Sequence, residues 1–280
     1  MKRFGREKKI YCGDSYREVD IFNYTDEQVK AAKKGKRSKK VKESEPKQKN
    51  LNDKNARRYL VQVGNLNFGL GDMHVTATYS KENLPDTIEA AEQEVKNFLR
   101  RIQYRRAKEN LPPLKYILVT AYSTGKDGET PTRIHHHIIM SGGIRREQIE
   151  DMWTHDRVNW KKWEVDMQYR AGIKHIGYIN TDRLQPDENG IAALCVYLAK
   201  QPNGKKRWST SQNLERPYSR SNDNRFSCRR IERLARERPT REFWEKQYPG
   251  WTLTDDFNGV QYEFNPCNGW SIYLKLRKKE

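Results

Sequence analysis

His135, His136 and His137 stand side by side and open the apolar run Ile138-Ile139-Met140. A run of this kind predicts a β-strand, in which alternate side chains point to opposite faces. His135 and His137 then project together, with Cα atoms roughly 6.5 Å apart. Two neutral imidazoles at that spacing can hold one divalent metal ion. His136 faces the other way and can pack. A second group lies in Ile191-Ala192-Ala193-Leu194-Cys195-Val196-Tyr197-Leu198-Ala199-Lys200. On a helix, Lys200 falls one turn beyond Tyr197, and Gln201 at i+4 shares their face. A phenol, with a pKa of about 10, is a poor nucleophile at neutral pH. It becomes useful when a metal polarises the phosphate it attacks and a cation such as Lys200 stabilises the pentavalent charge. Singly, each of these residues has a bland reading as a packed or solvated side chain; together they suggest phosphoryl transfer.

The elements that must position these groups are legible in outline. Met73-His74-Val75-Thr76-Ala77-Thr78-Tyr79 is rich in β-formers and predicts a strand. Asn83-Leu84-Pro85-Asp86 punctuates the chain, with Asp86 as the expected N-cap. Ile88, Ala91, Val95, Phe98, Leu99 and Ile102 follow at helical spacing, so a helix runs from Asp86 to about Lys108, its outer face carrying Arg100, Arg101, Arg105 and Arg106. Lys115 to Ser123 predicts the next strand, Gly125-Lys126-Asp127-Gly128 a turn, and Ile134 to Met140 the returning histidine strand. A short helix from about Arg145 to Trp153, a strand at Ile176-Gly177-Tyr178-Ile179 and a helix from about Asn189 to Lys200, capped by Pro186-Asp187-Glu188, complete the order. That order predicts an α+β fold: an antiparallel sheet with helices packed on one face, as in split βαβ domains, and an open face presenting the histidines.

Composition sets the partner class. The 280 residues carry a net charge of +18, which points first to nucleic acid and second to an acidic membrane surface. No stretch of about 18 apolar residues exists to span a bilayer. Met1-Lys2-Arg3-Phe4-Gly5 lacks the apolar core of a secretory signal. The cysteines at 12, 195, 228 and 267 are scattered, which argues against a zinc ribbon or disulfide framework and suits a reducing cytosol. Between Ala31 and Leu60 twelve Lys/Arg face three Asp/Glu, so residues 1–58 are read as a basic, partly flexible arm. Residues 59–215 are read as the folded domain. Residues 216–280, with a basic helix from Cys228 to Arg238 and short strands between Trp251 and Lys275, are read as an accessory region.

Three blocks then resemble a known family. Thr76-Ala77-Thr78-Tyr79 resembles its T-x-T-Y strand motif, followed by Leu84-Pro85. Arg133-Ile134-His135-His136-His137 resembles its His-hydrophobic-His motif, and Val196-Tyr197-Leu198-Ala199-Lys200 its Tyr-x-x-Lys motif. In this order they resemble the HUH-endonuclease superfamily, specifically single-tyrosine rolling-circle replication initiators of phages, plasmids and mobile elements. The resemblance covers roughly residues 59 to 215 and implies an RRM- or ferredoxin-like sheet. It implies Mg²⁺ or Mn²⁺ on His135 and His137, Tyr197 as nucleophile and Lys200 as its catalytic cation. It also implies a single-stranded or hairpin DNA origin as substrate and host replication machinery as partner. Thr76, Thr78, Lys205, Lys206, Arg207 and Trp208 are the expected nucleic-acid contacts. Relatives place a third, glutamate ligand at the position that is Ala121 here; Gln201 is the first candidate to replace it, with Glu129 or Asp127 from the preceding turn as alternatives. A relaxase or single-tyrosine transposase would share the chemistry. A water-using metal phosphodiesterase or a non-catalytic nucleic-acid-binding module are the readings from other classes.

Overall fold

A computed structural model describes residues 2–34, 46–125, 131–200, 208–254, 259–266 and 268–279. In chain order the elements are β1 (Arg3–Cys12), β2 (Tyr16–Thr25), α1 (Asp26–Lys34), α2 (Pro46–Asn67), β3 (Met73–Thr78), α3 (Ile88–Lys108), β4 (Tyr116–Thr124) and β5 (Pro131–Met140). Next come α4 (Arg146–Asp151), α5 (Trp160–Val165), α6 (Met167–Ala171), β6 (Ile179–Arg183), α7 (Ala192–Ala199) and β7 (Ser209–Thr210). The last are β8 (Tyr218–Asn222), α8 (Cys228–Glu237), α9 (Arg241–Gln247), β9 (Trp251–Leu253), β10 (Val260–Asn265) and β11 (Gly269–Lys278). The fold is α+β with two antiparallel sheets. No described helix is long and apolar enough to cross a membrane.

The chain divides into two compact units. Asn67–Pro186 with Ile191–Leu214 forms the histidine-bearing unit. Its sheet runs β6-β3-β5-β4-β7. Because β3 and β4 each pair antiparallel with β5 between them, they run parallel to each other, joined by α3. This is the split βαβ arrangement. One face of the sheet supplies Val75, Ala77, Leu118, Ile138 and Met140, which pack with Val95, Phe98, Leu99 and Ile102 of α3. Phe98 and Ile138 are fully buried, so truncating either to alanine should cost about 2–5 kcal/mol. Trp153 also belongs to this core, and its indole N–H donates to the Thr78 carbonyl.

Local chemistry moves several boundaries. Thr87, not Asp86, caps α3: its backbone is extended and its hydroxyl accepts from Ala90 N. The helix ends where Asn110 turns left-handed, with Leu111 N bonding Arg106 O and Asn110 N bonding Ala107 O, the paired bonds of a Schellman motif. The strand expected at 176–179 begins at Ile179 instead; Ile176 is drawn into the core, and polar Asn180, Thr181 and Asp182 carry the ladder with β3. Gly177 permits this entry, since a Cβ there would lie 2.4 Å from the Thr78 carbonyl oxygen. The helix expected from Asn189 starts at Ala192, and its N-cap, Ile191, makes no side-chain cap. Asp187 and Gly190 close a turn on each other, with Gly190 at φ +67°, a backbone that no helix can continue from. The turn at 126–128 lies outside the described residues.

The second unit comprises Met1–Leu66, Asp187–Gly190 and Glu215–Glu280. Here the structure differs from the expected basic arm and separate accessory region. Arg3–Cys12 and Tyr16–Thr25 are paired strands, and β2 pairs in turn with β11 from the far end of the chain. The sheet order is β10-β11-β2-β1-β8, with β9 beside β11. Val19 and Ile21 pack with Ile231, Leu234 and Ala235 of α8, Trp244 of α9, and Ile272, Leu274 and Leu276 of β11. The cause is visible in retrospect: the lysine-rich composition belongs to the stretch after residue 30, whereas Ile10, Cys12, Val19 and Ile21 alternate inward at strand period. The basic stretch is itself helical over Pro46–Asn67.

Candidate active site

Register alone assembles the site. Thr78 lies opposite His135 and Thr76 opposite His137 across the β3–β5 pair. Ala121 and Val119 oppose the same two histidines from β4. These residues share the sheet face that α3 does not cover, because strand side chains alternate. That face is not open: Ile117, Val119 and Ile139 on it are fully buried. Helix α7 brings Tyr197 to it, the phenol ring standing edge-on to His137 with centroids 5.6 Å apart. The rings of His135 and His137 are 5.1 Å apart at an interplanar angle of 89°. Tyr197 is 48% exposed, so its hydroxyl side remains accessible to a strand of nucleic acid. Lys200 terminates α7 as its exposed C-cap, its N–H bonded to the Tyr197 carbonyl.

Hydrogen bonds fix which ring nitrogens are free. His135 Nδ1 lies 2.8 Å from the Arg133 carbonyl, which can only accept, so Nδ1 carries the proton and Nε2 keeps its lone pair. Arg133 supports this bond from a left-handed backbone, φ +50°, beside the irregular pairing of β4 and β5. His137 Nδ1 is 3.2 Å from Thr76 Oγ1, and its Nε2 is buried with no partner among the described residues. Burial, then the neighbouring His74 and His135, push His137 down to about 4, so the ring is neutral at physiological pH. His136, fully buried on the opposite face, is locked at both nitrogens. Tyr79 Oη donates to the Ala91 carbonyl and therefore accepts from His136 Nε2, leaving Nδ1 to accept from Thr120. The tyrosine of the T-x-T-Y motif thus clamps the middle histidine.

His74 is a residue that the sequence reading passed over. It sits two positions before Thr76 and so on the same face, its ring stacked on His137 at 5.5 Å. Its Nε2 is likewise buried without a partner among the described residues. Period-two counting from Thr76 would have found it. Asp182 opposes His74 from β6, and Asn180 donates to Asp182 at 2.6 Å.

Two neutral imidazoles on one strand, one with its tautomer set by a carbonyl and one with an orphaned Nε2, fit a nitrogen-ligated divalent ion. They suit Mn²⁺ better than Mg²⁺, which favours oxygen donors. Among the described residues no group of three or more His, Cys, Asp or Glu side chains is gathered to hold a metal. Ala121 does lie beside His135, where an alanine leaves one ligand position empty. Gln201, Asp127 and Glu129, the candidates to fill it, lie outside the described residues, as do Lys205, Lys206 and Arg207. Trp208 is half-buried directly before β7. The hydroxyls of Thr76 and Thr78 are engaged within the fold, Thr76 with His137 and Thr78 donating to the Tyr178 carbonyl.

Residues 72–202 match a family model for replication-associated proteins, the one typified by ORF2. This stretch is similar to replication-associated proteins. The match spans β3 through α7 and contains every histidine on the face described above, together with Tyr197 and Lys200. Neither a curated protein nor a solved structure matches the chain. The replication-associated match and the boundaries of the histidine-bearing unit, Asn67–Pro186 and Ile191–Leu214, coincide closely.

Proposed function

We propose that the histidine-bearing unit nicks and rejoins single-stranded DNA to initiate rolling-circle replication, with Tyr197 as nucleophile. The observation that carries this reading is the contact of the Tyr197 ring with His137, whose Nε2 has no partner among the described residues. A buried, unsatisfied nitrogen costs about 1–3 kcal/mol, a cost that a bound ligand would remove. A divalent ion on His135 and His137 supplies charge stabilisation to a phosphate under attack.

The chain's own residues account for the rest. Thr76 and the Arg133 carbonyl hold the two rings so that their Nε2 atoms stay unprotonated. Lys200 adds a positive charge one turn from the nucleophile. Tyr197 Oη gives its proton to solvent and bonds the phosphorus. The P–O3′ bond breaks, and the leaving oxygen takes a proton from water to become a free 3′-hydroxyl. The 5′-phosphotyrosine retains the ester, so a later 3′-hydroxyl can reverse the step without ATP.

Incubating the full chain with labelled single-stranded origin DNA and Mn²⁺ should yield an SDS-stable adduct. Tyr197→Phe should abolish the adduct while leaving DNA affinity within about twofold, a change of under ~0.5 kcal/mol. Cleavage without any adduct would assign the site to a water-using phosphodiesterase, and a persistent adduct in Tyr197→Phe would move the nucleophile elsewhere.

A further inference from the structure

Helix α3 packs its apolar side on the sheet, which leaves a second side unaccounted for. Arg100, Arg101, Arg105 and Lys108 line a groove there, closed by Arg157 and Lys161 from the segment leading into α5. Its volume is about 1060 Å³, with Asp156 the carboxylate among its lining residues. Small-molecule sites typically fill about 300–1,000 Å³, so an elongated ligand suits this one better. Arg101 and Arg105 are held by Glu94 and Glu109. Arg100, Lys108, Arg157 and Lys161 form no ion pair among the described residues. Two aromatic rings interleave with the charges. Tyr104 is 58% exposed with the Lys108 ammonium 5.4 Å from its ring, and the Arg105 guanidinium lies 4.6 Å over Trp160.

A merely solvated helix face is convex and alternates charge sign. This surface is concave, nearly all positive and carries stacking faces, the combination that tracks a single strand by its phosphates and bases. The geometry points to a second binding path for single-stranded DNA along the outer side of α3, remote from the nucleophile. It is remote because α3 covers the sheet face opposite to His135 and His137. The inference stands on the replication-associated match for its ligand class and does not need the tyrosine chemistry.

The test measures fluorescence anisotropy of dT30 across a salt series with the full chain. The comparison is between wild type, the triple variant Arg100→Glu/Arg157→Glu/Lys161→Glu and Tyr104→Ala. All four side chains are exposed, so both variants should fold, which circular dichroism checks. Three lost phosphate contacts should flatten the log–log salt slope by about 2, at ~0.7 each on single strands. Tyr104→Ala should weaken dT30 binding about 5- to 150-fold with the slope unchanged. Unchanged slope and affinity in both variants would overturn the path. A charge-reversal effect without any Tyr104 effect would overturn its single-strand character, since a duplex hides its bases. Neither result touches the adduct assay on Tyr197, and failure of that assay leaves the salt slope unaltered.

Discussion

The two units bury polar groups in contrasting ways. In the unit built from both chain ends, Glu18 is fully buried and accepts from Arg58 at 2.5 Å, Gln62 at 2.6 Å and Tyr16 at 3.1 Å. Glu7 is equally enclosed and accepts from Arg225 and Tyr248, both at 2.7 Å. Burial opposes the charge on Arg58, but Glu18 and Asp20 outweigh it and hold the guanidinium firmly protonated. In the histidine-bearing unit, His136 follows the same rule, with both nitrogens bonded. His74 and His137 break it, each keeping a buried Nε2 without a partner among the described residues. Depth of burial is thus a poor guide to role. A satisfied buried group specifies the fold, whereas an unsatisfied one marks where a ligand is needed.

The contrast can be broken by substitution. Glu18→Ala strands a buried guanidinium and amide and should cost about 3–5 kcal/mol in urea unfolding. His137→Leu removes an orphaned nitrogen and should change stability by less than about 1 kcal/mol while eliminating metal-dependent cleavage. Comparable stability losses in both variants would erase the distinction. A finer probe is Thr76→Val, which frees His137 to rotate. It should weaken Mn²⁺ binding about 10–100-fold, read by competition with a fluorescent chelator, with little change in melting temperature.

Acidity offers a weaker handle. Burial, then the charges of protonated His135 and His137, push His136 down to about 3 from 6.5. Above pH 6.5 the ring is neutral whether folded or unfolded, and its contribution to stability is complete. Below that, the unfolded chain takes up a proton that the folded ring refuses. Stability attributable to His136 should therefore fall as pH drops from 6.5 towards 3, by up to about 1.4 kcal/mol per unit. Urea titrations at about pH 7, 5 and 4 should show a shallower decline in His136→Asn than in wild type. The smallest effect belongs to the exposed Glu232–Arg236 pair on α8, where Glu232→Ala should shift stability by no more than about 0.5 kcal/mol.

Much of the histidine-bearing unit was legible because its signals are local. Strand alternation placed His135 with His137 and set His136 apart, and the spacing from Ile88 to Ile102 marked α3. The polar edge strand β6 was misplaced because Asn180, Thr181 and Asp182 carry no apolar pattern; neighbouring β3 imposes the extended form. The amino-terminal strands were obscured by the lysine-rich stretch that follows them, although Val19 and Ile21 alternate correctly.

Sequence by itself determined the chemical types, the face shared by His135 and His137, and the helix carrying Tyr197 and Lys200, since backbone periodicity needs no distant partner. Tertiary structure alone decided that His74 stacks on His137, that Tyr197 meets the same ring, and that β2 pairs with β11 across the length of the chain. Those pairings join residues far apart in sequence, and they are set by burying many apolar side chains at once, a condition that no short segment can express.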